Sequence, residues 1–161
     1  MRLSPRGRNR VFIPVKDVHV VVGVLAIALN GLAAVYGGWC YWRASASPWF
    51  WRLLRTAQAV VVLQVALGGV LLLIGDKTKS LHILYGVLPL LVSLLAEQLR
   101  VASAQMVLDS RGFESNEEVG ELPAEEQRGI IVTILQREIG VMALSAVVVV
   151  VLLARAAATA G

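Results

Sequence analysis

Four apolar runs, at about residues 18–42, 50–75, 81–102 and 130–156, leave this chain of 161 residues few alternatives to a lipid bilayer. A helix crosses the hydrocarbon core with roughly 20 apolar residues. Hydrophobic side chains make up 57% of the sequence, which leaves too little polar surface to coat a soluble domain of this size. Backbone amides in lipid must be satisfied within their own segment, so each run is read as a helix. The expected architecture is an all-α integral membrane four-helix bundle, a single domain over residues 1–161 with one sizeable polar loop at about 109–123. Arg155 lies close enough to the end of its run to snorkel to the interface.

The connections support the same layout. Trp39, Trp42, Trp49 and Trp51 bracket the short Ser/Ala-rich link at 43–48, as an aromatic belt at one interface requires. Gly75 to Ser80 reads as a tight turn in which Thr78 or Ser80 can cap the third helix. Two short links make the first three helices up-down-up neighbours. The third connection differs. Helical character continues to Leu108, Asp109-Ser110-Arg111-Gly112 turns the chain, and an acidic stretch from Glu114 to Glu126 follows. Pro123 suits a first helical turn, and the acids beside it favour the positive helix end. Helices three and four therefore extend beyond the bilayer as a hairpin, bringing Glu97 and Arg100 toward Arg137 and Glu138.

Arg2, Arg6, Arg8 and Arg10 suit the start of a secretory signal, but the apolar run is too long for a signal core. Trp39-Cys40-Tyr41-Trp42 also offers no small-residue cleavage site, so the first span is expected to be retained. With four spans both termini share one side, and the same arginines place that side in the cytoplasm. Cys40 is the sole cysteine, which excludes an internal disulfide, a CxxC metal site and covalent CxxCH haem attachment.

The chain has two histidines, and they open similar segments: His19-Val-Val-Val-Gly23-Val-Leu and His82-Ile-Leu-Tyr-Gly86-Val-Leu. A glycine four residues on lies on the same helical face and leaves room beside the imidazole. The likeness continues in Leu63-Gln64-Val-Ala-Leu67-Gly68 and Leu135-Gln136-Arg-Glu-Ile139-Gly140, so the bundle reads as two pseudo-repeated helix pairs. Such a repeat puts His19 and His82 at one depth on parallel helices. Eleven residues below His19, roughly 16 Å at the helical rise, Asn30 reaches the depth expected for Gln64, and the two are expected to hydrogen-bond.

A lone histidine at such a helix end is equally explained by the headgroup region or by a neighbouring helix. The repeated pair favours axial ligation of a planar cofactor. Zinc wants three or four protein ligands, and two imidazoles alone fall short. Haem needs only axial ligands and an apolar slot. Haem b is the expected cofactor, with His19 and His82 as iron ligands, Gly23 and Gly86 giving space, and Lys16, Lys77, Lys79 and Arg10 available to its propionates.

At residues 16–90 these features resemble the heme A synthase family. A membrane helix opening with His-x-x-x-Gly lies beside one carrying Gln64-x-x-Leu67-Gly68-Gly69. The resemblance implies one four-helix half of that family's fold, with His19 and His82 as haem ligands. The family's catalytic glutamate, three residues before a ligand histidine, is replaced by Lys16 and Lys79, and its loop cysteine pair is absent. Haem-modifying oxidation is therefore not expected, and no catalytic residue is assigned.

The expected function is a bis-histidine haem b membrane protein in electron transfer or in haem or oxidase assembly. Its partners would be the lipid bilayer and a membrane or oxidase-assembly protein, with a second copy of the chain as a further candidate and no nucleic acid. The competing reading is a cofactor-free membrane scaffold whose acidic helix hairpin docks a partner protein. A transporter is disfavoured by the scarcity of ionisable groups within the spans.

Overall fold

The computed structural model describes residues 15–113 and 116–160. Arg2, Arg6, Arg8, Arg10 and Glu114, invoked above for orientation, propionate binding and charge, lie outside them. The described chain forms five helices: α1 (Val15–Trp42), α2 (Pro48–Leu73), α3 (Ser80–Ser110), the short α4 (Asn116–Gly120) and α5 (Ala124–Ala158). There is no strand among the described residues. α1, α2, α3 and α5 are each long and apolar enough to cross a membrane, and the protein is a multi-pass membrane bundle.

α5 is the central packing element, lying along both α1 and α3, while α2 packs along α1 and sends Phe50 and Leu54 into the shared core. Small residues make these contacts possible, because a bilayer offers no hydrophobic drive and helices must associate by close packing. The buried seam of α1 is Ala26, Asn30, Ala33, Gly37 and Cys40, one residue per turn. At Gly37 the approach is tightest: a β-carbon there would stand 2.5 Å from Phe50 Cε2 and 2.8 Å from the Ala143 β-carbon. Around it Ala33, Cys40, Phe50, Leu54, Ala96, Ile139, Met142 and Ala146 form the main core. A second apolar cluster, Ala26, Val61, Val149 and Leu153, lies toward the histidine end.

The up-down-up neighbours expected from the short links are realised unevenly. α1 and α2 pack closely, whereas α2 and α3 touch much less and are splayed at the histidine end. Gly68, Gly69 and Gly86 face that gap with no side chains to fill it. At the other end the two helices are clasped. Glu97 accepts hydrogen bonds from Arg55 and from Gln58 on α2, and Arg100 bridges Glu97 (3.3 Å) and Glu138 of α5 (3.5 Å). The expected approach of Glu97 and Arg100 to Glu138 is present, with Arg55 and Gln58 as additional members.

α3 and α5 continue past this clasp as the expected hairpin. Val107, Leu108, Val119 and Ile130 give it a small core of its own, with Phe113, Leu122 and Ile134 packed around it. Around the α1–α2 link Arg43 lies over Trp39, Arg52 over Trp49 and Arg100 over Trp51. Two local expectations shift. Lys79, not Thr78 or Ser80, occupies the N-cap of α3, and no side chain caps that helix end. Pro123 is the N-cap of α5, one residue before the first helical position. Ring closure sets its φ to −55° without requiring a helical ψ, which is 144° here.

Candidate functional site: a cavity between two histidines

His19 falls in the second turn of α1 and His82 in the first turn of α3, and both helices begin at the same end of the bundle. Their ring centres lie 6.2 Å apart with the ring planes at 66°. Both line a cavity of about 440 Å³ bounded by α1, α2, α3 and the last turns of α5. Its walls are mainly apolar, and Gly23, Gly68, Gly69 and Gly86 contribute backbone without side chains. At its mouth Lys16 stands 4.0 Å from Asp76, beside Lys77 and Thr78. Lys79 is not among the lining residues and belongs to the N-cap of α3.

The two imidazoles are held differently. His82 Nδ1 lies 2.8 Å from the Ala156 carbonyl oxygen near the C-terminus of α5. A carbonyl can only accept, so Nδ1 carries the proton and donates it, and Nε2 keeps its lone pair. The carbonyls in this last turn carry the partial negative charge of a helix C-terminus. His19 instead meets a side chain: the Gln64 amide nitrogen is 3.2 Å from His19 Nε2. An amide nitrogen donates, so Nε2 accepts and the proton belongs on Nδ1. Nδ1 is buried without a hydrogen-bond partner, as is Gln64 Oε1. Turning the amide over would pair Oε1 with a protonated His19 Nε2 and leave the amide nitrogen without a partner; Nδ1 has none in either arrangement.

Local sequence explains why Gln64 reaches His19. α1 and α2 run antiparallel, and His19-x-x-x-Gly23 lies against Gln64-x-x-x-Gly68. A β-carbon at Gly68 would stand 3.3 Å from His19 Cε1, and one at Gly23 would stand 2.9 Å from Gln64 Nε2. Each polar side chain is thus seated on the other helix's glycine. The expected partner of Gln64, Asn30, turns back on its own helix and donates to the Ala26 carbonyl at 2.8 Å.

The second Gln–Gly element takes a different place. Gln136 donates to the Tyr41 carbonyl at 3.1 Å, and the ring of Tyr41 packs on Gly140. Both contacts lie at the tryptophan end of the bundle. Gln64 precedes the end of α2 at Leu73 by nine residues, whereas Gln136 precedes the end of α5 at Ala158 by 22. Tyr41 lies 22 residues along α1 from His19, so Gln136 sits roughly 30 Å from the depth at which Gln64 meets His19. His82 therefore finds a backbone carbonyl of α5 where His19 finds Gln64, and the two Gln–Gly elements do not take equivalent places.

Gln64 as a partner of His19 was legible in principle from the matching i, i+4 spacing of the two motifs. The Ala156 carbonyl has no signature, because any residue supplies one. Among the described residues no group of three or more His, Cys, Asp or Glu side chains comes together to hold a metal ion, so the histidine pair stands alone. Comparison of the chain with family models, curated proteins and solved structures finds no match.

Proposed function

We propose that this membrane protein binds haem b in the cavity between His19 and His82. The observation that carries this reading is the 6.2 Å separation of the two ring centres beside an apolar cavity. With metal–imidazole bonds of about 2.0–2.1 Å, two imidazoles trans on one metal have centres roughly 6–6.5 Å apart. A volume of about 440 Å³ falls within the range of pockets that take small molecules and cofactors.

The residues divide the work between them. His82, fixed by the Ala156 carbonyl, presents a lone pair on Nε2 from a defined tautomer. Gly68, Gly69 and Gly86 keep the macrocycle's space free of side chains. Lys16 and Lys77 at the mouth can meet carboxylate substituents, and the apolar walls exclude water. When bound, haem supplies a one-electron couple, which suits an electron carrier or a component of haem or oxidase assembly. Likeness to one half of the heme A synthase family remains part of this proposal. Lys16 and Lys79 in place of the family's glutamate speak against its oxidation chemistry.

An absorption spectrum tests the reading. Full-length protein purified in mild detergent and supplied with haem should show a Soret band with low-spin bis-imidazole features. The double variant His19→Ala/His82→Ala should be colourless. Wild-type protein that stays colourless with haem supplied, or a double variant that keeps the same spectrum, overturns it.

A further inference from the structure

We propose that the two histidines are unequal ligands, with His82 the anchor and His19 an exchangeable partner that yields its position to a small exogenous ligand. The inference rests on the haem reading above and goes beyond it by assigning the face on which the site is open to other ligands.

The asymmetry lies in what each ring does with its second nitrogen. His82 donates from Nδ1 to the Ala156 carbonyl at 2.8 Å. That bond fixes the tautomer and ring orientation, the usual support for a metal-ligating histidine. His19 has the reverse arrangement. Its Nε2 is occupied by Gln64 at 3.2 Å, and its Nδ1 is buried with nothing to receive a proton. No carbonyl or carboxylate strengthens this ring as a ligand. Ligation through Nε2 also requires Gln64 to let go, and its Oε1 already lacks a partner. Gln64 and a metal therefore compete for one lone pair, and release of His19 from the metal restores a hydrogen bond. The Gly23 and Gly68 surfaces that seat Gln64 and His19 hold the pair in register for that return.

With haem bound, both histidines would hold it at rest, and the site would open on the His19 side. Carbon monoxide is the probe. Full-length protein in detergent is titrated with haem, reduced with dithionite and exposed to CO. The wild type should be low-spin and should take up CO. His19→Ala should keep haem within about tenfold of the wild-type affinity and become five-coordinate, with added imidazole restoring the low-spin spectrum. His82→Ala should weaken haem binding well beyond the loss in His19→Ala, because the supported ligand is the one removed. Gln64→Leu removes the competitor and should slow CO uptake while the protein stays folded. The retained haem of His19→Ala and the slowed uptake of Gln64→Leu do not depend on how well His82→Ala folds. Equal loss of haem in the two single variants, no CO uptake by the reduced wild type, or unchanged uptake in Gln64→Leu overturns the inequality while a wild-type Soret band leaves the haem reading standing. A wild type that takes up no haem overturns both.

Discussion

A β-carbon at Gly23 would stand 2.9 Å from the Gln64 amide nitrogen, whereas one at Gly86, the equivalent glycine of the second histidine motif, would meet nothing within 4 Å. Two glycines at the same spacing from a histidine therefore have opposite roles. Gly23 is a seat already taken by a side chain of α2. Gly86 borders open cavity.

That contrast gives the first expected outcome. Gly86→Leu should fold as well as the wild type, since the larger side chain enters empty space and replaces a poor helix former. It should nevertheless lose haem uptake by filling the cavity. Gly31→Leu is the control, because Gly31 also faces open space but does not line the cavity. Haem titration of both variants decides: full uptake by Gly86→Leu would contradict the proposed location of the macrocycle.

Gly37→Ala should destabilise the bundle. The added methyl group would meet the Phe50 ring at 2.5 Å and the Ala143 β-carbon at 2.8 Å, neither of which is the free end of a flexible chain. Overpacking a close-packed interior costs typically about 1–3 kcal/mol. Thermal or denaturant unfolding in detergent should show a loss of that size, against little change for Gly38→Ala, where the β-carbon meets nothing within 4 Å. Equal stability of the two variants would contradict the α1–α2–α5 crossing described here.

The Arg55–Glu97 pair should be energetically coupled, because it joins the two least-packed neighbouring helices. Arg55 is half-exposed, so screening keeps the coupling modest, about 0.5–1 kcal/mol. A double-mutant cycle of Arg55→Ala and Glu97→Ala, followed by unfolding at low and high salt, should give that value and show it shrinking with salt. Zero coupling at low salt would mean that the α2–α3 contact is held by other groups.

Much of this architecture was legible without coordinates because its signals are local. Run length and hydropathy identify four spans, and interfacial tryptophans mark one end of them. Amphipathic continuations at Leu108 and Ile130 announce the hairpin beyond the Glu97–Arg100 clasp. The placement of His19 and His82 at one end also follows locally, since each opens a helix and the two helices are parallel. The expected Asn30–Gln64 bond does not form, because similar depth does not decide a partner. Gly23 and Gly68 supply the seats on which the Gln64 amide meets His19, and Asn30 is satisfied by a carbonyl of its own helix.

The amino-acid sequence by itself determined the spans, the histidine pair and the glycines that thin the helices around it. Only the tertiary structure decided which nitrogen of each histidine is engaged, because that depends on the axial offset between helices. α5 carries its Gln136 roughly 30 Å from the depth of Gln64 in α2 and brings a backbone carbonyl to His82 instead. Side-chain patterns encode which faces pack together. They do not encode where along a neighbour's axis a carbonyl will fall, and that offset is what makes His19 and His82 different.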